Sequence, residues 1–523
     1  VVLEEMDLDG TDPKTVHWRK APEARKLADF NVLVVGAGIM GAGIAQVAAQ
    51  AGHAVMLFDT REGAAAEAKL KLSATLDVLV DKAKLTPEAA AMTMGRITAI
   101  DALEHAVGAR LVVEAIVEKL DIKRSLFKQL EALMGAECVL ATNTSSISVT
   151  AIANGLRHPE RLVGMHFFNP VPLMKLVEVV SGLQTSPAVA QAIFDVSKAW
   201  GKVPVHARST PGFIVNRIAR PYYAETLALL QEQAATPAVL DACLRAAGFR
   251  MGPCELTDLI GHDTNFSVTQ SVYEANFFDK RFVPSLVQRE LVDGGLLGRK
   301  SGQGFYSYAD GVPKPATPAY IPAVLPTCRT LVVMGAGALA DRLAHSLHEA
   351  GRTYTRNTGA DWVGLSVDGA HLRQTDGRAA TLLTNPDTVV FDWPLSTETG
   401  AVLAVAPSLR ASDAWAKQAH VWVRALGWTP VPVADAPGLV VARTVAMLIN
   451  EASDAVHQGV CTADGADAAM KLGVNYPAGP FEWLGKMGAP TVAQLLDALD
   501  AHYRGERYRV SPWLRMRVMA HGS

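Results

Sequence analysis

His166 and Glu178 stand in one apolar run, Gly164-Met-His-Phe-Phe-Asn-Pro-Val-Pro-Leu-Met-Lys-Leu-Val-Glu-Val-Val180, and are the pair in this 523-residue sequence best suited to moving a proton. A histidine inside an apolar strand is most often a core residue that has found a hydrogen bond. Here, however, a Pro-bounded turn from Asn169 to Pro172 can reverse the chain and bring Glu178 back alongside. A carboxylate flanked by valines needs a partner, because leaving it unpaired in such surroundings is strongly unfavourable. An imidazole whose tautomer and proton affinity are set by a carboxylate is a general base suited to neutral pH.

A second chemical signal is Gly36-Ala-Gly-Ile-Met-Gly41, which directly follows the apolar run Asn31-Val-Leu-Val-Val35. Gly36 allows the tight turn from strand to helix, Gly38 lets the backbone approach a pyrophosphate, and Gly41 permits close helix–sheet contact. Ile39 and Met40 complete the loop at the helix start, where unpaired N–H groups favour an anion. A glycine triplet alone can be a structural turn. Asp59, at the end of the next strand, makes it a dinucleotide signature. Its carboxylate can accept hydrogen bonds from the adenosine ribose and repels a 2′-phosphate, so NAD is expected over NADP; Arg61 nearby softens that preference.

The elements that must hold these residues alternate strand and helix. Strand-like runs at 31–35, 54–59, 109–115, 138–142 and 162–168 are separated by helical stretches, which predicts a doubly wound α/β Rossmann domain over 30–209. After Thr210-Pro-Gly212 the pattern turns helical, giving an all-α domain over 210–310, and a Pro-rich linker follows over 311–327. The plan then repeats in degenerate form. Thr330 to Ala340 resembles the first glycine turn, Ala436-Pro-Gly-Leu-Val-Val-Ala-Arg443 resembles Thr210-Pro-Gly-Phe-Ile-Val-Asn-Arg217, and Ala478-Gly-Pro-Phe-Glu482 resembles Met251-Gly-Pro-Cys-Glu255. A Rossmann-like domain over 328–435 and a second helical domain over 436–523 are therefore expected, with 1–29 as a surface tail. The repeat lacks a third glycine, an acid matching Asp59, and the His-Phe-Phe-Asn-Pro stretch, and Ala442 replaces Asn216, so it should not catalyse.

The run from His166 to Val180 resembles the signature of L-3-hydroxyacyl-CoA dehydrogenases. Val112-Val-Glu-Ala-Ile-Val-Glu118, Asn143-Thr-Ser-Ser146, Thr210 to Arg217 and Gly298 to Tyr306 are similar to the family's other motifs, in its order across residues 31–308. The resemblance implies NAD-dependent oxidation of L-3-hydroxyacyl-CoA to 3-ketoacyl-CoA. It makes His166 the base, Glu178 its orienting partner, and Ser145 and Asn216 the polar contacts to the substrate oxygen. Glu118, Lys123 and Asn143 are placed near the cofactor. Lys82 and Lys84, on a helix expected from Glu62 to Lys84, could meet CoA phosphates or simply face solvent. No metal is implied.

The tandem layout is similar to bacterial members of the family in phenylacetate catabolism. That implies a short-chain or dicarboxylic substrate such as 3-hydroxybutyryl-CoA or 3-hydroxyadipyl-CoA, within chemistry of the β-oxidation type of fatty acid metabolism. A terminal carboxylate would need a cationic anchor, for which Arg217, Arg220 and Arg299 are candidates. The second helical domain could stand in for the partner of a homodimer, making the chain a monomeric pseudo-dimer; a homo-oligomer is the alternative. Multifunctional relatives carry a hydratase upstream, and with only the short tail before the Rossmann fold no hydratase activity is expected here. Two other readings share the plan: a dehydrogenase of a free hydroxy acid or sugar acid, and a non-catalytic crystallin-like protein.

Bulk properties narrow the field. A net charge of −3 argues against nucleic acid as partner, and no apolar stretch is long enough to span a bilayer. Five scattered cysteines without a CxxC pair suggest reduced thiols, and the N-terminus lacks a signal-peptide pattern, so a cytoplasmic enzyme is expected.

Overall fold

The computed structural model describes residues 30–313 and 316–521; the expected tail over 1–29 lies outside them. Two compact units result, one running up to Thr144 and resuming over Val149–His206, the other comprising Ser145–Ser148 and Ala207–Ser523.

The first unit is built on an eight-stranded sheet. Its strands are β1 (Val32–Val35), β2 (Val55–Phe58), β3 (Ile97–Ala99), β4 (Leu111–Glu114), β5 (Val139–Thr142), β6 (Leu162–Phe167), β7 (Leu176–Ser181) and β8 (Val203–Arg208), in the order β3-β2-β1-β4-β5-β6-β7-β8. The pairs from β3 through β6 are parallel, and β6 pairs antiparallel with β7. Strands β1, β4, β5 and β6 are buried at every position, as a parallel sheet covered on both faces requires. Helix α1 (Ile39–Gln50) packs tightly on the sheet layer: a Cβ on Gly43 would lie 2.9 Å from Val171. Helix α2 is shorter than expected, spanning Ala64–Asp81.

The second unit holds both helical domains and the second sheet. That sheet has seven strands, β9 (Leu331–Met334), β10 (Thr355–Asn357), β11 (Gly364–Val367), β12 (Ala370–Gln374), β13 (Thr388–Phe391), β14 (Val402–Pro407) and β15 (Thr429–Pro432), in the order β10-β9-β11-β12-β13-β14-β15. It is Rossmann-like only in part. β11 runs antiparallel to both β9 and β12, and the β11–β12 hairpin turns at Asp368 and Gly369, both with positive φ. The Pro-rich linker is not a free spacer: the Tyr320 hydroxyl donates to the Arg424 carbonyl and Leu325 is buried.

In the first helical domain the opening helix is broken into α3 (Val215–Ile218) and α4 (Arg220–Gln231). Pro221 explains the break, since it lacks an N–H and its ring collides with the carbonyl four residues back. The second copy has Met447 at the matching place, and α5 (Val441–His457) runs unbroken. Helix α5 is buried at every position from Val441 to Ala455, so its charged residues must all be answered by protein partners.

Those partners are reciprocal. One constant offset between the two copies relates Arg217 to Arg443, Glu225 to Glu451 and Arg281 to Arg507. Arg217 Nε lies 2.6 Å from Glu451, and Arg443 Nε lies 2.7 Å from Glu225. Arg281 Nη1 reaches Glu451 at 3.0 Å while Arg507 Nη2 reaches Glu225 at 2.8 Å. Each glutamate, inaccessible to water, is thus clamped by two arginines of the other helical domain. Burial opposes ionisation of Glu225, yet Arg507 and Arg443 hold its carboxyl below the ordinary range. This is the isologous pattern of a twofold dimer, made within one chain.

Removing one member leaves a buried charge behind, at a cost of about 3–5 kcal/mol. Arg217→Met and Glu451→Gln should each destabilise on that scale in denaturant unfolding, and the double variant should lose less than the sum by at least about 1 kcal/mol. Strict additivity would mean the two side chains are independently solvated.

Candidate active site

The glycine turn forms a cradle that only glycine can line. Gly36 has φ of +107°, and a Cβ there would lie 2.4 Å from the Ala115 carbonyl oxygen; one on Gly41 would lie 1.7 Å from the Gly36 oxygen. At Gly38, by contrast, a Cβ would meet nothing within 4 Å, so open space borders the loop. Helix α1 begins there with no side-chain cap and no acid in its first turn. Its orphan N–H groups and positive dipole therefore face that space, as a pyrophosphate requires. Ile39, 80% exposed, is an apolar side chain at the same edge, and Met40 is half-buried.

Asp59 is tied to the cradle. Its Oδ2 accepts from the Ala37 N–H at 2.7 Å and its Oδ1 from the Arg61 N–H at 2.9 Å. The Arg61 guanidinium is drawn to Glu67, at 2.9 and 3.2 Å. A 2′-phosphate would meet the Asp59 carboxylate without an uncommitted arginine to offset it, and these residues fit NAD.

His166 and Glu178 are direct cross-strand partners in the antiparallel β6–β7 pair. His166 Nδ1 lies 2.5 Å from Glu178 Oε2, with the histidine 6% exposed and the glutamate fully buried. The carboxylate accepts a hydrogen bond from Nδ1–H, which favours the tautomer with its lone pair on Nε2. Because both strands are buried on both faces, the pair is held by the sheet rather than by a loop.

A second buried network supports the neighbouring strand ends. Glu114 at the end of β4 accepts from Lys123 Nζ at 2.6 Å, from the Thr142 hydroxyl at 2.6 Å and from the Ile116 N–H at 2.7 Å. Lys123, only 1% exposed, also reaches Glu118 at 3.2 Å, and the Thr144 hydroxyl donates to Glu118 at 2.6 Å. Lys123 thus sets the Glu118 carboxylate from below and presents no charge at the surface. Asn143 Oδ1 accepts the Phe167 N–H at 2.8 Å and so pins the strand residue next to His166.

One supporting residue gave no sequence signal. Lys202 Nζ donates to the carbonyls of Val171 (2.5 Å) and Met174 (2.8 Å), clasping the turn between β6 and β7, whose Asn169–Pro170 bond is cis. A lone lysine well beyond Glu178 in the sequence reads as surface charge.

In the second unit, Asn216 Nδ2 lies 3.5 Å from the Ser145 carbonyl, both residues half-buried. Gly212 and Phe213, at φ of +76° and +47°, make the turn that sets Asn216 in the first turn of α3. Lys82 and Lys84 lie past the end of α2, exposed and separated by Ala83 at positive φ, which corrects their expected place on the helix. Of the proposed cationic anchors, Arg217 is committed to Glu451 and to Gln458, at 2.6 and 2.8 Å, and Arg299 to Glu255 at 3.4 Å.

Comparison with known proteins finds relatives along nearly the whole chain. Residues 31–210 match the 3-hydroxyacyl-CoA dehydrogenase NAD-binding domain, and 212–308 and 438–522 each match that family's C-terminal domain. The chain belongs to the 3-hydroxyacyl-CoA dehydrogenase family. Its cofactor is NAD. Residues 372–437 match the 3-hydroxybutyryl-CoA dehydrogenase reduced Rossmann-fold domain. The 3-hydroxyadipyl-CoA dehydrogenase of Escherichia coli K12 is 42% identical over 93% of this chain and 97% of its own length. The mitochondrial hydroxyacyl-coenzyme A dehydrogenase of Sus scrofa is 41% identical over 55% of this chain and 94% of its own. Among solved structures, a 3-hydroxybutyryl-CoA dehydrogenase from Escherichia coli K12 superposes with a TM-score of 0.83 at 41% identity, covering 94% of this chain and 99% of that one.

The second family repeat has turned its cofactor-like features to structure. The helix after its glycine turn, Ala338–Glu349, carries Asp341 in its first turn, where a negative charge opposes a pyrophosphate. Thr358 stands in the place matching Asp59, and Arg356, two residues before it, pairs with Asp341 at 2.8 Å. Asp392, directly after β13, accepts the N–H groups of Val440, Val441 and Ala442 at 2.9, 2.7 and 2.9 Å. These are the counterparts of Ile214, Val215 and Asn216, so the helix start that carries Asn216 in the first copy is capped by a carboxylate in the second.

Burial pushes the Asp392 carboxyl up to about 6 against the pull of those donors. An acid raised in the folded state binds a proton there that the unfolded chain has lost, so its contribution is fully present below about pH 4 and falls away as pH rises to about 6. Stability of the wild type relative to Asp392→Asn should therefore decline across pH 4–6 by on the order of 3 kcal/mol. Parallel stability–pH curves for the two proteins would show that the group titrates normally.

Proposed function

We propose that this chain oxidises L-3-hydroxyacyl-CoA esters of short-chain or dicarboxylic type, with His166 as the base. The observation carrying this reading is the buried His166–Glu178 bond beside a dinucleotide cradle. Oxidation must remove the hydroxyl proton and a hydride from the same carbon. Bound NAD supplies the hydride acceptor. His166 Nε2 takes the C3 hydroxyl proton, and Glu178 stabilises the resulting imidazolium through Nδ1 without itself being protonated. The Ser145 hydroxyl and Asn216 amide hold the C3 oxygen and, in the reverse direction, polarise the ketone. Glu118, Lys123 and Asn143 keep the cofactor side of the site in register, and Lys82 and Lys84 are offered to the CoA phosphates as exposed cations. Kinship with proteins named 3-hydroxyadipyl-CoA and 3-hydroxybutyryl-CoA dehydrogenase supports a short acyl group.

The working form in this proposal is a cytoplasmic monomer whose two helical domains replace the subunits of a homodimer. The reciprocal arginine–glutamate clamps support it. Among the described residues no helix is long and apolar enough to cross a membrane.

His166→Ala should lower kcat for acetoacetyl-CoA reduction by about 10²–10⁴-fold while the NAD dissociation constant changes by less than about twofold. An equal loss of NAD affinity would move His166 from catalysis to cofactor binding. Sedimentation should give a species near the chain mass of 55.7 kDa; a stable species of twice that mass would overturn the pseudo-dimer.

A further inference from the structure

Arg220 is a cation taken out of water without a counter-charge. It is 5% exposed, and no carboxylate among the described residues lies within 4.0 Å of it. Its Nε donates to the Asn216 carbonyl at 2.8 Å, its Nη1 to the Thr269 hydroxyl at 3.0 Å, and its plane lies over the Tyr223 ring at 5.0 Å. Nη2 has no acceptor among the described residues. Burial pulls the guanidinium's proton affinity down, and only tyrosines push the other way. Elsewhere in this unit each deeply buried arginine, Arg217, Arg281, Arg373 and Arg443, has a carboxylate in contact.

Arg220 also lines a cavity of about 70 Å³ with Tyr223, Thr269, Ser285, Gln288 and Arg507, the last already committed to Glu225. That is room for several waters, and so for a carboxylate head. We propose that Arg220 is the specificity residue of this enzyme, receiving the terminal carboxylate of a six-carbon dicarboxylic acyl group.

Chain geometry sets the length. Arg220 opens α4 just past the break that follows α3, and its Nε bond to the Asn216 carbonyl at 2.8 Å folds the guanidinium back toward that residue. With the C3 oxygen on the Asn216 amide, three C–C bonds carry the chain about 4 Å to C6. A carboxylate there comes within reach of Nη2, whereas a four-carbon acyl chain ends short of it. The planar guanidinium can meet the carboxylate in hydrogen bonds as well as charge, which a lysine ammonium would match less well. An unanswered buried arginine is unfavourable in the free enzyme, and a dicarboxylic substrate relieves that penalty where a monocarboxylic one cannot.

The inference rests on the 3-hydroxyacyl-CoA reading above, and the test separates the two. NADH oxidation is followed with acetoacetyl-CoA, 3-oxoadipyl-CoA and the terminal methyl ester of the latter, using wild type, Arg220→Met and Arg220→Lys. Wild type should prefer the free acid over its methyl ester by at least about tenfold in kcat/KM. Arg220→Met should lose at least about thirtyfold more kcat/KM on 3-oxoadipyl-CoA than on acetoacetyl-CoA, with Arg220→Lys between. Wild-type indifference to the methyl ester, or equal losses on both CoA esters, would overturn the role of Arg220 while leaving the dehydrogenase reading intact. Should Arg220→Met not fold, Arg220→Lys and the methyl-ester comparison decide by the same criteria. Failure of wild type on every CoA ester would instead sink the underlying reading.

Discussion

A carboxylate that folding removes from water must be met by donors or by positive charge, and this chain buries them repeatedly. Glu178 has no exposure and is met by His166; Glu114 has none and is met by Lys123 and Thr142; Glu225 and Glu451 have none and are met by paired arginines. Each pairing fixes one element against another, because a charge-assisted bond in a low-dielectric interior tolerates little displacement. The site depends on the first pairing, the strand ends around it on the second, and the joining of the helical domains on the last.

The two family repeats apply this constraint to different ends. In the first, the helix after the glycine turn has no acid in its opening turn and its N–H groups face open space; in the second, Asp341 occupies that turn and Arg356 is drawn to it. The helix that carries Asn216 in the first copy is broken at Pro221, whereas its counterpart is continuous and capped by Asp392. In the second half an acid of its own sheet and an acid of its own helix take up these positions. A dehydrogenase of this family in tandem form can lose the second site without losing the packing surface, since Arg443 and Glu451 hold that surface with side chains that a substrate contact at Asn216 does not use.

How far the sequence could be read follows from the range of each interaction. The glycine turn, Asp59 and the alternation of strand and helix are local patterns, and the fold class was legible in them. His166 and Glu178 were legible as a pair because only a Pro-bounded turn separates them. Less was legible where the end of an element decided a residue's position. Lys82 and Lys84 fall beyond α2 because the helix stops at Asp81, and the repeat of the Rossmann pattern concealed a sheet in which a tight hairpin at Asp368 and Gly369 replaces a crossover helix.

By itself, the sequence determined the cofactor class, the pairing of His166 with Glu178 and the duplicated plan, since each rests on residues whose neighbours along the chain are also their neighbours in space. Only the tertiary structure decided which arginine is left unanswered. Arg217, Arg220 and Arg299 are equivalent as letters. Arg217 meets Glu451, 234 residues away, and Arg299 meets Glu255, 44 residues away. Arg220, one turn beyond Asn216, meets no acid because α4 turns it toward Thr269 and Tyr223. Contacts over such separations are set by how helices pack and not by any period in the sequence, and so the charge available to a substrate emerges only once every other charge has found its partner.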